Sequence, residues 1–546
     1  MHTNFKYKGV VILISILLIL VSLSSVTDSP NDQGGIEETR TVPDLPIPTY
    51  PLCPPGSDCA TLHTCSPPSS NSTLDIETTW TSTGSDRMMS SPHVIDLNGD
   101  GVLDIVSGTG IEEESTGSII ALDGANGTLL WEVNTSGEMF SSAQFADLDG
   151  DTNPDVILGG RNHQLFAVNG INGSIIWQFD SNNDERSQWF QFYTGQFIDD
   201  QNADGIVDWL TSNGGDPLKQ PGEPRDNGYL MIISGSTGEI ISVADTPDSR
   251  ETYMSPLIYQ PHPEMETEVI FGTGGETWDG GLWTTSIADI MSGDIDNATR
   301  IVDPVPDVAK GIMAPPAIVD MNIDGIQDLV VSTFDGRLIA LDGRNYSEIW
   351  NIDVKEHVQG GLISDAESWA SPTIGYFTND SVPDVFSHFV IGVFPMYSGS
   401  ISIMIDGATG QILWSEDTSH TIFTSPLAVD MNGNGRDEIL MIRGGGELFS
   451  DSGEYVFYNE ASVFNTCQMS LNTLFNESQM SIGTPTIVDI DSDGDLELIT
   501  TTTTGYTNPT ATWTLSRLDI NATTPQHMSW AAYLGTNYDA VFESDS

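Results

Sequence analysis

The stretch DLNGDGVLD, residues 96–104, places oxygen-bearing groups at alternate positions of a nine-residue loop. The groups that can converge on one point are the side chains of Asp96, Asn98, Asp100 and Asp104 and the backbone carbonyl of Val102. Calcium suits such a set because it takes roughly six to eight oxygen ligands in flexible geometry. The alternative is a polar turn without a metal, and one copy of the motif does not distinguish the two.

The loop recurs along the chain at a regular spacing. Matching loops begin at Asp96, Asp147, Asp200, Asp320, Asp430 and Asp489, so successive first positions are 51, 53, 120, 110 and 59 residues apart. The two long gaps are each about twice the period, and each holds a weaker copy, beginning at Ser255 and Ser371. The chain therefore contains eight repeats, six of which carry the acidic loop.

A hairpin that ends in tryptophan follows many of these loops. Examples are ALDGANGTLLWE (121–132), AVNGINGSIIWQ (167–178), ALDGRNYSEIWN (340–351) and MIDGATGQILWS (404–415). Two apolar runs around a D-G or N-G turn are typical of a β-hairpin. With the two strands that flank the acidic loop, each repeat predicts four antiparallel strands. The sequence thus predicts an all-β fold, a β-propeller of four-stranded antiparallel blades, with eight repeats counted and a seven-bladed ring left open.

Two segments compete to close the ring. Residues 74–82, LDIETTWTS, resemble an additional fourth strand, and the eighth repeat offers another in MSWAAYLG around Trp530. Because open sheet edges are avoided, we expect one of them to complete the last blade, while the other pads its outer edge or lies free.

The remaining segments differ in composition. Lys6 and Lys8 precede an apolar run at 10–26, so residues 1–26 are expected to be a signal peptide or an N-terminal membrane anchor. Residues 27–73 form a Pro-, Ser- and Thr-rich linker, residues 74–535 the propeller, and residues 536–546 a polar tail. Export predicts disulfides among Cys53, Cys59, Cys65 and Cys467, and we expect one linker cysteine to pair with Cys467.

Composition restricts the partners. The chain has 546 residues, 78 acidic against 17 basic, and a net charge of -61. Nucleic acid is not expected as a partner, because phosphate binding needs clustered Lys and Arg. Attachment to the membrane is expected only through the N-terminal apolar segment, and N-x-S/T sequons make glycosylation plausible at Asn71, Asn126, Asn134, Asn172, Asn297, Asn345, Asn379, Asn476 and Asn521.

With these features the chain resembles proteins with FG-GAP repeats, also called VCBS-type repeats, as in the integrin alpha-subunit propeller. The Trp-ended hairpins resemble those of quinoprotein propellers. The resemblance implies up to six structural calcium ions, on the face opposite the ligand face. Besides the first loop, the implied ligands are Asp147, Asp149, Asp151, Asn153 and Asp155; Asp200, Asn202, Asp204, Ile206 and Asp208; Asp320, Asn322, Asp324, Ile326 and Asp328; Asp430, Asn432, Asn434, Arg436 and Glu438; and Asp489, Asp491, Asp493, Asp495 and Glu497.

The resemblance implies adhesion or recognition of an extracellular protein or glycan, by a protein that is secreted or anchored at the outer face of the cell membrane. Long loops after the second strand of a repeat are expected to form the ligand face, with Arg225, Trp278 and Trp283 as candidates. No catalytic residue is assigned, because the sequence has no Ser-His-Asp signature, no H-E-x-x-H and no phosphate loop. A quinoprotein-like or polysaccharide-acting enzyme and a purely structural surface protein are the alternatives.

Overall fold

The computed structural model describes residues 74–544, except 113, 181–190, 216–218, 220–221, 359–364, 395, 450–453, 478 and 506–510, together with residues 42, 43, 45 and 65. The sequence-predicted export segment at 1–26 and most of the linker lie outside these residues. Among the described residues, no helix has the length and apolar character needed to cross a membrane.

The strands form eight antiparallel sheets, one for each repeat, so the all-β propeller prediction is confirmed with eight blades. The strands of blades one to four are β2 (His93–Ile95), β3 (Asp104–Gly110), β4 (Gly117–Leu122) and β5 (Leu129–Thr135); β6 (Gln144–Ala146), β7 (Asp155–Gly159), β8 (Leu165–Val168) and β9 (Ile175–Gln178); β10 (Gln191–Phe192), β11 (Gln196–Ile198), β12 (Asp208–Gly214), β13 (Tyr229–Ile233) and β14 (Ile240–Asp245); and β15 (Leu257–Tyr259), β16 (Glu268–Gly272), β17 (Leu282–Ser286) and β18 (Thr299–Val302).

Blades five to eight follow the same plan. Their strands are β19 (Ala317–Val319), β20 (Asp328–Ser332), β21 (Arg337–Leu341) and β22 (Glu348–Asp353); β23 (Ala366–Glu367), β24 (Thr373–Gly375), β25 (Asp384–Val393), β26 (Met396–Asp406) and β27 (Gln411–Thr418); β28 (Leu427–Val429), β29 (Glu438–Phe449), β30 (Glu454–Asn465) and β31 (Ser470–Glu477); and β32 (Thr486–Val488), β33 (Asp495–Thr504), β34 (Thr512–Thr523) and β1 (Ile76–Ser85). Helix α1 (Ile287–Ser292) and a 3₁₀ turn (Val354–His357) lie between strands.

Three of the four tryptophans of the predicted hairpins, Trp131, Trp177 and Trp350, each bind the backbone of the next blade. Trp131 Nε1 donates to the carbonyl of Gly170 in blade two at 2.7 Å, and Trp177 Nε1 donates to Gly235 in blade three at 2.7 Å. Gly173 beside Trp131 has φ +70°, and a Cβ there would lie 2.7 Å from the Trp131 side chain. A tryptophan on one blade and a glycine turn on the next therefore form a single packing unit, and the apolar cores lie between neighbouring sheets.

The N-terminal strand closes the ring. β1 pairs along its length with β34 of the last blade, from Ile76 opposite Ile520 to Ser85 opposite Thr512. Trp80 Nε1 donates to the carbonyl of Gly124 in blade one at 2.9 Å, which is the same contact that joins other blades. The prediction that one of two candidate strands completes the last blade is thus confirmed, and it is the first candidate.

The second candidate, around Trp530, does not form a strand, and the expectation that it pads the outer edge or lies free is wrong. Trp530 is fully buried, and its carbonyl accepts from the N–H of Ala428 in the first strand of blade seven at 2.8 Å. Further on, Ala540 and Phe542 bond to Ile318 in the first strand of blade five. The first strands are three residues long and offer unpaired backbone groups at the ring centre, which this apolar segment satisfies.

A disulfide joins Cys65 to Cys467 across 402 residues. It confirms the predicted pairing of a linker cysteine with Cys467. Cys467 lies in the turn between β30 and β31 of blade seven, and Cys65 lies shortly before β1 of blade eight. The bond therefore anchors the segment that closes the ring. Cys53 and Cys59 lie outside the described residues.

Candidate calcium loops and central cavity

The ninth residue of each acidic loop fastens the loop to its own blade. In the first loop, Asp104 accepts from the N–H of Leu97 at 3.0 Å and from Gly124 in the hairpin turn at 3.2 Å. The residues in the same position in the other loops accept from the backbone in the same way, namely Asp155, Asp208, Asp328, Glu438 and Glu497. Burial raises the pKa of Asp104 and of Asp155 to about 6. These carboxyls therefore have a structural role in addition to any metal contact.

The first loop is closed by its own backbone amides. Asp96 accepts from Gly99 N–H at 2.7 Å and from Gly101 N–H at 3.1 Å, while Asp100 accepts from Val102 N–H at 2.9 Å. Gly101 has φ +88°, so the backbone turns sharply there in a conformation that favours glycine. Residues 98–101 of this loop are exposed to solvent.

The second loop brings three carboxylates together. One oxygen each from Asp147, Asp149 and Asp155 lies within 4.8 Å of the others, a separation that one cation could bridge. Asn169 Nδ2, from the neighbouring hairpin turn, donates to Asp149 Oδ2 at 3.1 Å. Burial is the largest cause that raises the pKa of Asp155, and the negative charges of Asp149 and Asp151 raise this pKa further. A hard divalent cation fits this oxygen set.

In the third loop, Asp200 accepts from Ala203 N–H at 2.7 Å and from Gly205 N–H at 2.7 Å. Asp204 accepts from Ile206 N–H at 2.9 Å and from the hydroxyl of Ser236 at 2.5 Å. Asn202 donates to the Ser234 hydroxyl, so its amide faces the hairpin turn. The groups that donate to these carboxylates are neutral amides and a hydroxyl, so they do not offset the negative charge of the loop.

The fifth and eighth loops differ because an arginine enters each of them. Arg344 Nε lies 2.6 Å from Asp324 Oδ2, and both side chains are buried. Arg517 Nη2 lies 2.6 Å from Asp491 Oδ2 and 3.4 Å from Glu497 Oε1. One oxygen each of Asp489, Asp491 and Asp493 also lies within 4.8 Å of the others, so this cluster is compact as well.

The seventh loop is mostly neutral. Asp430 accepts from Asn434 N–H at 3.0 Å and from Gly435 N–H at 2.9 Å, and Asn432 donates to Glu438. Burial, followed by the charges of Asp430 and Asp437, raises the pKa of Glu438 to about 9. Arg436 points away, and its Nη1 donates to the Phe377 carbonyl in the loop of blade six at 3.1 Å.

A cavity of about 530 Å³ opens at the ring centre, on the face opposite the acidic loops. Each acidic loop follows the first strand of its blade, whereas the connections that line the cavity precede the first strands. Because the two ends of a strand lie on opposite faces of the ring, the cavity and the acidic loops lie on opposite faces. Seven connections place a large side chain four residues before the first strand, namely Met89, Phe140, Tyr253, Met313, Trp369, Phe423 and Ile482. In blade three Tyr193, three residues before β11, lines the cavity, and so does Tyr533 of the C-terminal segment.

Three buried carboxylates near this ring pair with cationic side chains. Glu138, Glu251 and Glu367 each lie six residues before a first strand, in blades two, four and six, and each is at most 2 % exposed. Their partners are Arg161, with Nε 2.6 Å from Glu138; Arg225, with Nε 3.3 Å from Glu251; and Lys310 beside Glu367. Tyrosine hydroxyls also bind two of these glutamates: Tyr253 donates to Glu251 at 2.7 Å, and Tyr397 donates to Glu367 at 2.6 Å.

Of the three predicted ligand-face residues, Arg225 lines this cavity. Trp278 lies outside it, with its Nε1 donating to the Glu223 carbonyl and Arg250 5.1 Å above its ring. Trp283 is only 9 % exposed, and its Nε1 donates to Thr273. The structure thus does not bring the three together.

The glutamates and aromatic residues near the cavity were not predicted, although their pattern is present in the sequence. It appears as EMFSS (138–142), ETYMS (251–255) and ESWAS (367–371), in alternate repeats. In each, a glutamate is followed two residues later by an aromatic residue and four residues later by serine. Aligning the repeats on their first strands would have found it.

Comparison with known proteins supports the fold. A family model described as FAM234A/B beta-propeller matches residues 113–266. No curated protein sequence matches the chain. Among solved structures, a europium-containing methanol dehydrogenase aligns with a TM-score of 0.52 at 10% identity, over 81% of this chain and 93% of that one.

Quinohemoprotein alcohol dehydrogenases align similarly. The enzyme from Comamonas testosteroni gives a TM-score of 0.51 at 11% identity, over 83% of this chain and 78% of that one. ADHIIG from Pseudomonas putida HK5 gives 0.50 at 13% identity, over 83% and 77%. At such identities the likeness shows the fold alone. The chain is a β-propeller protein with eight four-stranded blades.

Proposed function

We propose that this protein is a calcium-binding β-propeller, exported or held at the cell surface, that recognises an extracellular glycan or glycan-bearing protein in its central cavity. The observation that carries the proposal is the cavity wall, which combines aromatic side chains with charged side chains, among them Arg161 and Arg225, that pair with glutamates. Its volume of about 530 Å³ lies within the range of roughly 300–1,000 Å³ of small-molecule pockets.

The chemistry of this wall favours a ligand rich in hydroxyl groups. Aromatic rings such as Trp369 and Phe423 offer apolar faces to the C–H face of a sugar ring. Carboxylate and guanidinium groups, such as Glu112 and Arg161, accept from and donate to hydroxyls. Both signs of charge are present at the cavity although the chain carries -61, so neither a strongly anionic nor a strongly cationic ligand is favoured.

Calcium is proposed as a structural ion of the FG-GAP type, in acidic loops on the face opposite the cavity. Four side-chain oxygen ligands and a backbone carbonyl recur in six loops. The crowding of Asp147, Asp149 and Asp155 within 4.8 Å supports a cation there, because like charges at such distances repel. Neutral amides and hydroxyls alone do not offset this charge.

The proposed location of the protein is extracellular. The apolar segment at 10–26 supports export or anchoring, and the disulfide between Cys65 and Cys467 is typical of oxidising compartments. The acidic composition supports a soluble surface that does not bind nucleic acid.

A glycan array probed with the purified protein, with calcium and with excess chelator, tests the proposal. We expect calcium-dependent binding to a set of related glycans, and the hit should quench tryptophan fluorescence in solution. Trp369→Ala should weaken binding at least tenfold, whereas the matched control Trp278→Ala, outside the cavity, should not. Absence of binding to every glycan, or equal loss in both variants, would refute a glycan site in this cavity.

A further inference from the structure

We infer that Arg344 and Arg517 take the place of calcium in the fifth and eighth acidic loops, so that a guanidinium group of the protein occupies carboxylates that a metal ion would otherwise bind. The inference rests on the proposed calcium binding in the remaining loops. It assigns metal to a subset of the six matching loops, and it gives the two arginines a role that their sequence positions do not suggest.

In the fifth loop the guanidinium reaches the carboxylate that would face a metal. Arg344 Nε lies 2.6 Å from Asp324 Oδ2, at the fifth loop position, and Arg344 Nη1 donates to the Leu45 carbonyl at 3.3 Å. Asp324 is 7 % exposed and Arg344 9 % exposed, so the pair is removed from solvent. A buried guanidinium–carboxylate contact of this length is a strong charge-assisted hydrogen bond. A calcium ion on Asp324 would have to displace it or lie beside a fixed positive charge.

In the eighth loop one guanidinium contacts two loop positions. Arg517 Nη2 lies 2.6 Å from Asp491, at the third position, and 3.4 Å from Glu497, at the ninth. Arg517 Nη1 also donates to the Gly124 carbonyl of blade one at 3.3 Å, and the residue is 4 % exposed. The side chain is therefore held from two sides. Of the compact cluster of Asp489, Asp491 and Asp493, the guanidinium contacts Asp491, so one of the carboxylates that a metal would need already has a cationic partner.

The first three loops offer a contrast within the same chain. Arg344 is the residue after the glycine of its hairpin turn, and blades one, two and three have Ala125, Ile171 and Ser236 in that place. Asn169 and Ser236 contact the second and third loops with neutral groups. No described ion pair involves Asp96, Asp147 or Asp200, and their loops keep the full carboxylate charge.

Counting bound calcium tests the inference. The full-length protein, stripped of metal and then equilibrated with calcium chloride, is analysed by native mass spectrometry and by equilibrium dialysis. We expect no more than four ions in the wild type. Five or six ions would overturn the inference alone, whereas no ion at all would overturn the calcium part of the proposed function as well.

Two variants test the inference by an expected gain in the number of bound calcium ions. Arg517→Met and Arg344→Met keep side-chain bulk and remove the charge, so each should bind one calcium more than the wild type. The matched control is Arg337→Met, because Arg337 pairs with Asp335 outside any acidic loop, and its count should not change. Folded variants that gain no ion would overturn the inference. If one variant does not fold, the other variant and the wild-type count still decide it.

Discussion

Removing the disulfide between Cys65 and Cys467 should loosen the closure of the ring. The bond closes a loop of 402 residues. The chain-entropy relation gives about 20 cal/mol/K for a loop of this length, which is about 6 kcal/mol at 25 °C. The closing strand β1 is otherwise held by its pairing with β34 and by the Trp80 contact with Gly124.

The assay compares the wild type with Cys65→Ser/Cys467→Ser by urea unfolding and by limited proteolysis. We expect the double variant to lose more than about 3 kcal/mol, half the chain-entropy value, and to be cleaved before β1. Wild type treated with a reductant under native conditions should behave like the variant. A loss below about 1 kcal/mol, with the N-terminal segment still protected, would show that strand pairing alone closes the ring.

Three further outcomes are expected. Chelation should lower the melting temperature, because each site filled at a thousand times its Kd contributes about 4 kcal/mol, and an unchanged melting curve in a metal-free sample would refute calcium binding. Burial lowers the pKa of His93 to about 4, below its unfolded value of 6.5. The contribution of His93 to the free energy of unfolding should therefore be complete above pH 6.5 and fall by about 3 kcal/mol as the pH drops towards 4. Denaturation of His93→Phe between pH 4 and 8 should show a flatter dependence of stability on pH. Trp530→Ala should cost about 3–5 kcal/mol in denaturant unfolding, because this side chain is fully buried at the ring centre, and a cost near zero would show that the C-terminal segment does not hold the ring.

Much of the fold follows from local pattern. The acidic loops recur in six of the eight repeats, the D-G or N-G turns and the tryptophans recur in many of them, and each has a local physical cause, so strand number and order follow from them. The placement of Trp530 does not follow in this way. Its segment has the apolar composition of a fourth strand, but β1 already occupies that edge, and the ring centre is the remaining apolar surface.

The candidate sites were predictable to different extents. The acidic loops could be found because their groups are close in sequence. The arginines of the fifth and eighth loops could not, because Arg344 follows Asp324 by 20 residues and Arg517 follows Asp491 by 26. Only the folded blade brings them together. The cavity could be predicted only by comparing equivalent positions across the repeats, because its glutamates and aromatic residues come from different blades.

Calcium removal should also affect the cavity, although the two sites lie on opposite faces. In blade two the first strand, β6, has only three residues, with Phe140 of the cavity ring before it and Asp147 of the acidic loop directly after it. Arg161 and Arg225 of the cavity wall likewise belong to blades two and three, whose loops have no guanidinium of their own.

A disturbed loop in these blades therefore has a short path to the wall of the cavity. Hydrogen exchange with and without calcium measures this coupling. We expect chelation to increase exchange in the first strands of blades one to three and in residues 138–142, with little change in blades five and eight, where Arg344 and Arg517 pair with loop carboxylates. Uniform exchange around the ring would show that calcium stabilises all blades alike, and would contradict the division between metal-held and arginine-held loops.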